Sequence, residues 1–347
     1  MTEPKLRIPG QVAHISRRCV GRKFLLRPDD YINEAIAYDF ALSVTRYGQE
    51  VSAATFMSNH YHAFILDTTA KRSDCVRRFN RCMTIRLQSH RGVDGPCWDH
   101  RPFGDTVIMG EQTEMEILLY IWLNPVKDGL VERVEDWPGY KILPKHWGKP
   151  ITVKKPEKYF GRAGPDELTW VPQPPPSLRH LPLEEAIALA EERIADKEAE
   201  FAEKRKREQN GDVMGAEKVQ ALNPLEAPQQ PCQKPGPCPR FACDNEALKK
   251  SAQKIYEAFL DQYETQRQRW LLGKEVVFPF GTLKLRYEAP ISCQKVPDDL
   301  PGIYREQNEV DDSGGEETVV RLERSEKRAT KRRGTPEAAA IASASGG

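Results

Sequence analysis

No apolar run in this chain approaches the eighteen or so residues that a helix needs to cross a bilayer, and none near the amino terminus has the flanks of a secretory leader. A soluble, cytoplasmic protein without membrane association is therefore expected. Cysteine is sparse: eight in 347 residues, at 19, 75, 82, 97, 232, 238, 243 and 293. That scatter excludes a secreted disulfide framework, and Cys232, Cys238 and Cys243 lack the paired spacing of a zinc site. Neither sign of charge dominates, with 52 Lys plus Arg against 51 Asp plus Glu, so composition alone points to no polyanionic partner. Apolar content is low as well. A mean hydropathy of -0.64 with 27 prolines predicts that part of the chain is linker or disordered.

Against that background, two short segments carry chemistry. His60-Tyr61-His62 follows the apolar run Val51 to Met57. Side chains alternate faces along a strand, so His60 and His62 point the same way while Tyr61 turns to the buried side. Two adjacent imidazoles make half a metal site. Some sixty residues on, Tyr120-Ile121-Trp122-Leu123-Asn124-Pro125 places a phenol and an amide four residues apart, on one face if the helix persists. Pro125 disfavours helical geometry at Asn124, so the helix is expected to end or kink there. A third local feature is basic. Lys71, Arg72, Arg77, Arg78, Arg81, Arg86 and Arg91 fall within twenty-one residues opposed only by Asp74, a density suited to phosphates.

Periodicity orders the first half as alternating strand and helix. Val12 to Val20 reads as a strand, Asp30 to Tyr47 as a helix and Glu50 to Met57 as a second strand. After the Ser58-Asn59 turn, His60 to Leu66 follows so closely that it must pair antiparallel with the second strand. Ser73 to His90 reads as the basic helix, with Val76, Phe79, Met83 and Leu87 as its apolar stripe. A short strand, Thr106 to Met109, precedes the tyrosine helix, Glu111 to Leu123. Beyond residue 150 the pattern changes. Residues 151–182 are rich in proline and read as an extended linker or wrapping segment; 183–295 read as a helical extension, with Leu183 to Gln209 expected to be a solvated helix, Asn245 to Leu272 amphipathic and short strands after Glu275. From 296 to 347 the polar, charged and then Ala- and Ser-rich sequence predicts disorder.

Met57-Ser58-Asn59-His60-Tyr61-His62, the run from Tyr120 to Val131 and Trp137-Pro138-Gly139-Tyr140, in that order and spacing, resemble the HUH single-tyrosine transposases, and among them the REP-associated tyrosine transposases of the IS200-like group. The resemblance spans roughly residues 8 to 148. It implies an α+β, ferredoxin-like domain over 1–150 with a central antiparallel sheet and flanking helices. It also implies a divalent cation, Mg²⁺ or Mn²⁺, on His60, His62 and Asn124, and Tyr120 as the nucleophile. The activity implied is cleavage and rejoining of single-stranded DNA at hairpin-associated sites through a 5′-phosphotyrosine.

Candidate DNA contacts are Arg17, Arg18, Arg77, Arg78, Arg81, Arg86 and Arg101. A nucleoid-associated prokaryotic enzyme, monomeric or homodimeric, fits the same resemblance, and a domesticated protein that binds hairpin DNA without cutting it is the alternative. Ser58 and Trp122 depart from the family pattern without removing a candidate ligand. A phosphoesterase or amidohydrolase fits less well, because no further carboxylate or histidine set accompanies the pair. His14, His90, His100, His146 and His180 are expected to be structural or exposed.

Overall fold

Three central strands bury side chains on both faces, and that two-sidedness organises the protein. The computed structural model describes residues 3–158, 164–208, 211–229, 238–282, 285, 289–297 and 300. Its first elements are β1 (Gln11–Arg18), α1 (Asp30–Arg46), β2 (Gln49–Phe56), β3 (His60–Asp67), α2 (Arg72–Arg91) and β4 (Gly104–Ile108). The strands lie in the order β2-β3-β1-β4, each pairing antiparallel. Each helix thus links two parallel strands with a third inserted between them, the split βαβ arrangement of a ferredoxin-like fold. Fold class and hairpin agree with the sequence reading.

Alternation along β3 decides what each face covers. Tyr61, Ala63 and Ile65 join Ala13 and Ile15 beneath α1 and α2, where Ile36, Phe40, Val76, Phe79 and Met83 complete the core. The Asp29 carboxylate caps α1 by accepting from Ile32 N–H at 3.0 Å, and α2 ends at Gly92 in the left-handed conformation (φ 62°) that glycine allows. Phe64 and Leu66 turn the other way, with Val12, against α3 (Glu111–Trp122) and α4 (Asn124–Lys127). The His60-Tyr61-His62 segment continues these two rows, so its histidines belong to the α3 face.

The Trp-Pro-Gly-Tyr segment braces the strand that leads to the histidines. Trp137 Nε1 donates to the Phe56 carbonyl at 2.9 Å, and Phe56 N–H donates to the Tyr140 carbonyl at 3.0 Å. Gly139 lies so close that a Cβ would come within 2.6 Å of the Phe56 oxygen, so only glycine fits. The strand that follows, β5 (Lys141–Ile142), pairs with β2, and its Ile142 carbonyl accepts from Trp122 Nε1 at 2.9 Å. Trp122 is therefore a buried structural anchor, which accounts for an aromatic residue at that position.

Beyond residue 150 the described helices and strands continue to pack on this body. Within the proline-rich segment, β6 (Ile151–Lys154) and β7 (Glu167–Trp170) form a hairpin whose Val153 and Trp170 enter the first core. Next, α5 (Leu183–Glu208) corrects an expectation: it is not a solvated helix. Ala186, Ile187, Ala190 and Ile194 are buried against the α3 face, because small alanines at helical spacing let the helix approach closely where a count of large apolar residues sees only a weak stripe. Arg205 Nη1 donates to the Val126 carbonyl at 3.2 Å, and Glu198 accepts from Val134 N–H at 2.6 Å.

The segment around α6 (Ala216–Ala221) continues the wrap. Met214 and Gly215 donate N–H groups to the Gly129 and Leu130 carbonyls at 2.9 Å each, and Phe24 N–H reaches the Glu226 carbonyl at the same distance. A further strand, β8 (Phe241–Ala242), adds in parallel to β4, and α7 (Glu246–Leu271) packs Ala252, Tyr256 and Phe259 over that edge with Leu6 and Ile8. The last pair, β9 (Val277–Phe278) and β10 (Ser292–Cys293), is parallel. Cys232 and nearly all of the tail expected to be disordered lie outside the described residues. No helix among the described residues is long and apolar enough to cross a membrane.

Candidate functional site

The turn before β3 sets the histidines in place. Met57 N–H donates to the His60 carbonyl at 2.9 Å, Leu26 N–H to the Ser58 carbonyl at 2.9 Å and Cys19 N–H to the Asn59 carbonyl at 2.8 Å. Antiparallel register then puts Arg18 opposite His60 and Ser16 opposite His62. The two imidazole centroids are 4.9 Å apart, nearly perpendicular. His62 is buried, with 6% of its surface exposed.

Tyr120 and Asn124 arrive from α3 and α4. Pro125 does not unwind the chain; it occupies the first turn of α4, where the missing N–H costs little. The break falls at Leu123, next to the asparagine as expected, and its N–H still reaches the Leu119 carbonyl at 2.9 Å while Lys127 N–H reaches the Leu123 carbonyl at 2.8 Å. Tyr120 and Asn124 therefore remain one turn apart. The Asn124 amide is close enough to both the Tyr120 phenol and His60 to act on their protonation. Asn124 is buried, whereas Tyr120 is 40% exposed, and the phenol ring stands edge-on to His62 at 5.2 Å.

Burial holds the imidazoles neutral. Desolvation brings His60 down to about 4, helped by the Arg18 charge, and lowers His62 well below its ordinary value. Neutral imidazoles are metal ligands. Partial burial raises the Tyr120 phenol above its ordinary value, opposed by the Asn124 hydrogen bond and the Arg18 charge. It is protonated at neutral pH.

Two residues at the site escape sequence reasoning. His14, expected to be structural or exposed, lies on β1 with Nε2 2.9 Å from His62 Nδ1 and its ring 5.8 Å from that of Tyr120. Desolvation lowers it to about 4. Its signal was β1 alternation, since Ala13 and Ile15 belong to the helix-covered face and His14 must belong to the other. Lys127 holds its ammonium 5.3 Å from the Tyr120 ring centroid, one helical turn past Leu123.

The arginines divide. Arg18 faces the site, and its charge acts on His60, His62 and Tyr120. Arg17, its neighbour on the strand, instead binds the Arg101 and Asp99 carbonyls, the latter at 2.9 Å, pinning the loop that carries exposed Arg101. Arg77, Arg78 and Arg81 lie on α2, across the sheet from the histidines. Arg77 pairs with Asp74 at 2.9 Å. Arg86 corrects the expectation of a DNA contact: it is 2% exposed and paired with buried Asp39 at 3.3 Å, an internal ion pair that α2 and α1 share.

His62 Nε2 is buried without a hydrogen-bond partner among the described residues. An unpartnered ring nitrogen beside a second imidazole and an amide is a place where an ion would fit. Among the described residues no group of three or more His, Cys, Asp or Glu side chains could hold a metal. A centre on His60 and His62 must therefore take a different third donor, and Asn124 is the amide at hand.

No family model and no curated protein matches the chain. One solved structure similar to it is a REP-associated tyrosine transposase bound to a REP hairpin, 20% identical over 42% of this chain and 85% of that one, with a TM-score of 0.35. Another, from Deinococcus radiodurans R1 and named only as a candidate transposase, is 19% identical over 35% of this chain and 95% of its own, with a TM-score of 0.26.

Proposed function

We propose that the protein is a metal-assisted, single-tyrosine nuclease and strand-transfer enzyme of the REP-associated transposase kind, acting on single-stranded DNA beside a hairpin. The observation that carries this reading is the convergence of a half-exposed tyrosine on the histidine pair, its ring edge-on to His62 at 5.2 Å with His60 4.9 Å further on and the Asn124 amide beside them. A structural tyrosine needs no such company.

Tyr120 Oη attacks the scissile phosphorus and gives its proton to solvent as the new P–O bond forms and the bond to the 3′ oxygen breaks. The 3′ oxygen departs and takes a proton from solvent, which leaves a 5′-phosphotyrosine and a free 3′-hydroxyl. Attack by a 3′-hydroxyl reverses the sequence and rejoins DNA. Asn124 orients the phenol for attack. Arg18 and Lys127 flank the tyrosine with positive charge, which draws the strand in and offsets charge on the phosphate. Exposure of Tyr120 lets a strand approach. His60, His62 and Asn124 would hold Mg²⁺ or Mn²⁺, which would supply Lewis-acid polarisation of the phosphate.

The test is incubation of the full chain with end-labelled single-stranded hairpin DNA and Mg²⁺ or Mn²⁺, followed by a denaturing gel. A protein–DNA adduct that disappears in Tyr120→Phe is expected, together with loss of cleavage in His60→Ala and His62→Ala. An adduct that persists in Tyr120→Phe moves the nucleophile elsewhere. Hairpin binding with no adduct in the wild-type chain leaves the non-cutting alternative.

A further inference from the structure

We infer that Asn59 and His14 are positioning residues that lock His60 and His62 as Nδ1–H tautomers, so that both rings present a bare Nε2 to a divalent cation. The inference rests on the metal-assisted reading above and adds the residues that prepare the ligands.

For His60 the lock begins at the backbone. Arg22 lies in the left-handed region (φ 60°), and its carbonyl accepts from Asn59 Nδ2 at 3.2 Å. That bond fixes the amide's orientation and turns Oδ1 toward His60. An amide oxygen only accepts. Asn59 Oδ1 is 2.6 Å from His60 Nδ1, so that nitrogen must carry the proton. A neutral imidazole has one N–H, and Nε2 is left with its lone pair.

For His62 the partner is another imidazole. Its Nδ1 is 2.9 Å from His14 Nε2, and the rings stack at 5.0 Å and 25°. Two proton arrangements are conceivable. With the His62 proton on Nε2, a buried N–H faces no acceptor among the described residues, and a cation cannot relieve it. With the proton on Nδ1, donated to His14 Nε2, the orphaned atom is a lone pair, the form that a cation completes. Metal-bound histidines characteristically have their second ring nitrogen held by an acceptor. An amide and a neutral imidazole take that part in this protein, adding no negative charge next to a site meant for phosphate.

Histidine-selective ¹⁵N labelling of the metal-free full chain, read by long-range ¹H–¹⁵N correlation, reports the tautomer of each of its seven histidines. Calorimetric titration with Mn²⁺ reads affinity independently of turnover. His60 and His62 are expected as Nδ1–H forms. His14→Ala and Asn59→Ala, folded by circular dichroism, should each weaken Mn²⁺ binding about 10–100-fold, and His14→Gln and Asn59→Asp, which keep an acceptor, should recover most of it. An Nε2–H tautomer at either ring in the wild-type chain overturns the proposal, as do folded alanine variants that bind Mn²⁺ like wild type. The spectrum needs no variant, so a misfolded mutant does not spare the idea. Nδ1–H tautomers in a wild-type chain that binds no Mn²⁺ would uphold the lock and remove the metal from the proposed function.

Discussion

At the scale of single residues, one buried amide, Asn124, acts on both a phenol and an imidazole. Asn124→Leu, close in volume but unable to bond either group, is expected to slow adduct formation at least ~10-fold while leaving the fold intact; equal rates in a single-turnover assay would contradict that role. The arginines of α2 differ among themselves. Arg86 and Asp39 are both buried, so Arg86→Ala removes the cation of an internal ion pair and should cost about 3–5 kcal/mol in urea unfolding. Arg81→Ala, on an exposed position, should stay within about 0.5 kcal/mol.

Acid should also find the site. His14 titrates near 6.5 when unfolded and at about 4 when folded, so the unfolded chain binds the extra proton in that window. The contribution of neutral His14 is whole above about 6.5 and is lost as pH falls toward about 4. Between pH 7 and 5 the metal-free wild-type chain should therefore lose on the order of 1–2 kcal/mol more stability than His14→Gln, as measured by urea midpoints; identical losses would show that His14 is not held neutral.

Among the elements, the periodic ones were legible and the wrapped ones were not. Apolar alternation in β1, β2 and β3 and the stripe Val76, Phe79, Met83 and Leu87 in α2 are local signals, and those elements lie within two residues of expectation. By contrast α5 reveals its burial only through what it meets. Alanines at 186 and 190 carry little hydrophobic signal, yet they bring the helix against the α3 face. Ile194→Ala is accordingly expected to destabilise by about 2–4 kcal/mol, read by chemical denaturation; a change below about 0.5 kcal/mol would return α5 to the solvated role. The site was half legible for a similar reason. His60, His62, Tyr120 and Asn124 stand in two short runs, whereas His14 joins them only through strand register, which no local spacing encodes.

Taken whole, the molecule separates its two sources of positive charge. The arginine-rich α2 covers one face of the sheet, and the histidines, Tyr120, Arg18 and Lys127 occupy the other. Sequence density drew attention to α2, but cations count for a strand only where the strand lies. Arg18→Ala and Lys127→Ala should each lower the salt slope of single-stranded hairpin binding by about 0.7, whereas Arg77→Ala and Arg81→Ala should leave it near wild type; the reverse pattern in titrations at several salt concentrations would put the DNA on α2. The central claim is that Tyr120 becomes covalently joined to DNA. Its most direct measurement is mass spectrometry of the full chain after incubation with a single-stranded hairpin substrate and Mn²⁺. The account predicts a mass increase equal to a 5′-phosphorylated DNA fragment, localised after proteolysis and nuclease trimming to the phenol of Tyr120. An unmodified Tyr120 in a preparation that cleaves the DNA, or an adduct on any other residue, would contradict it.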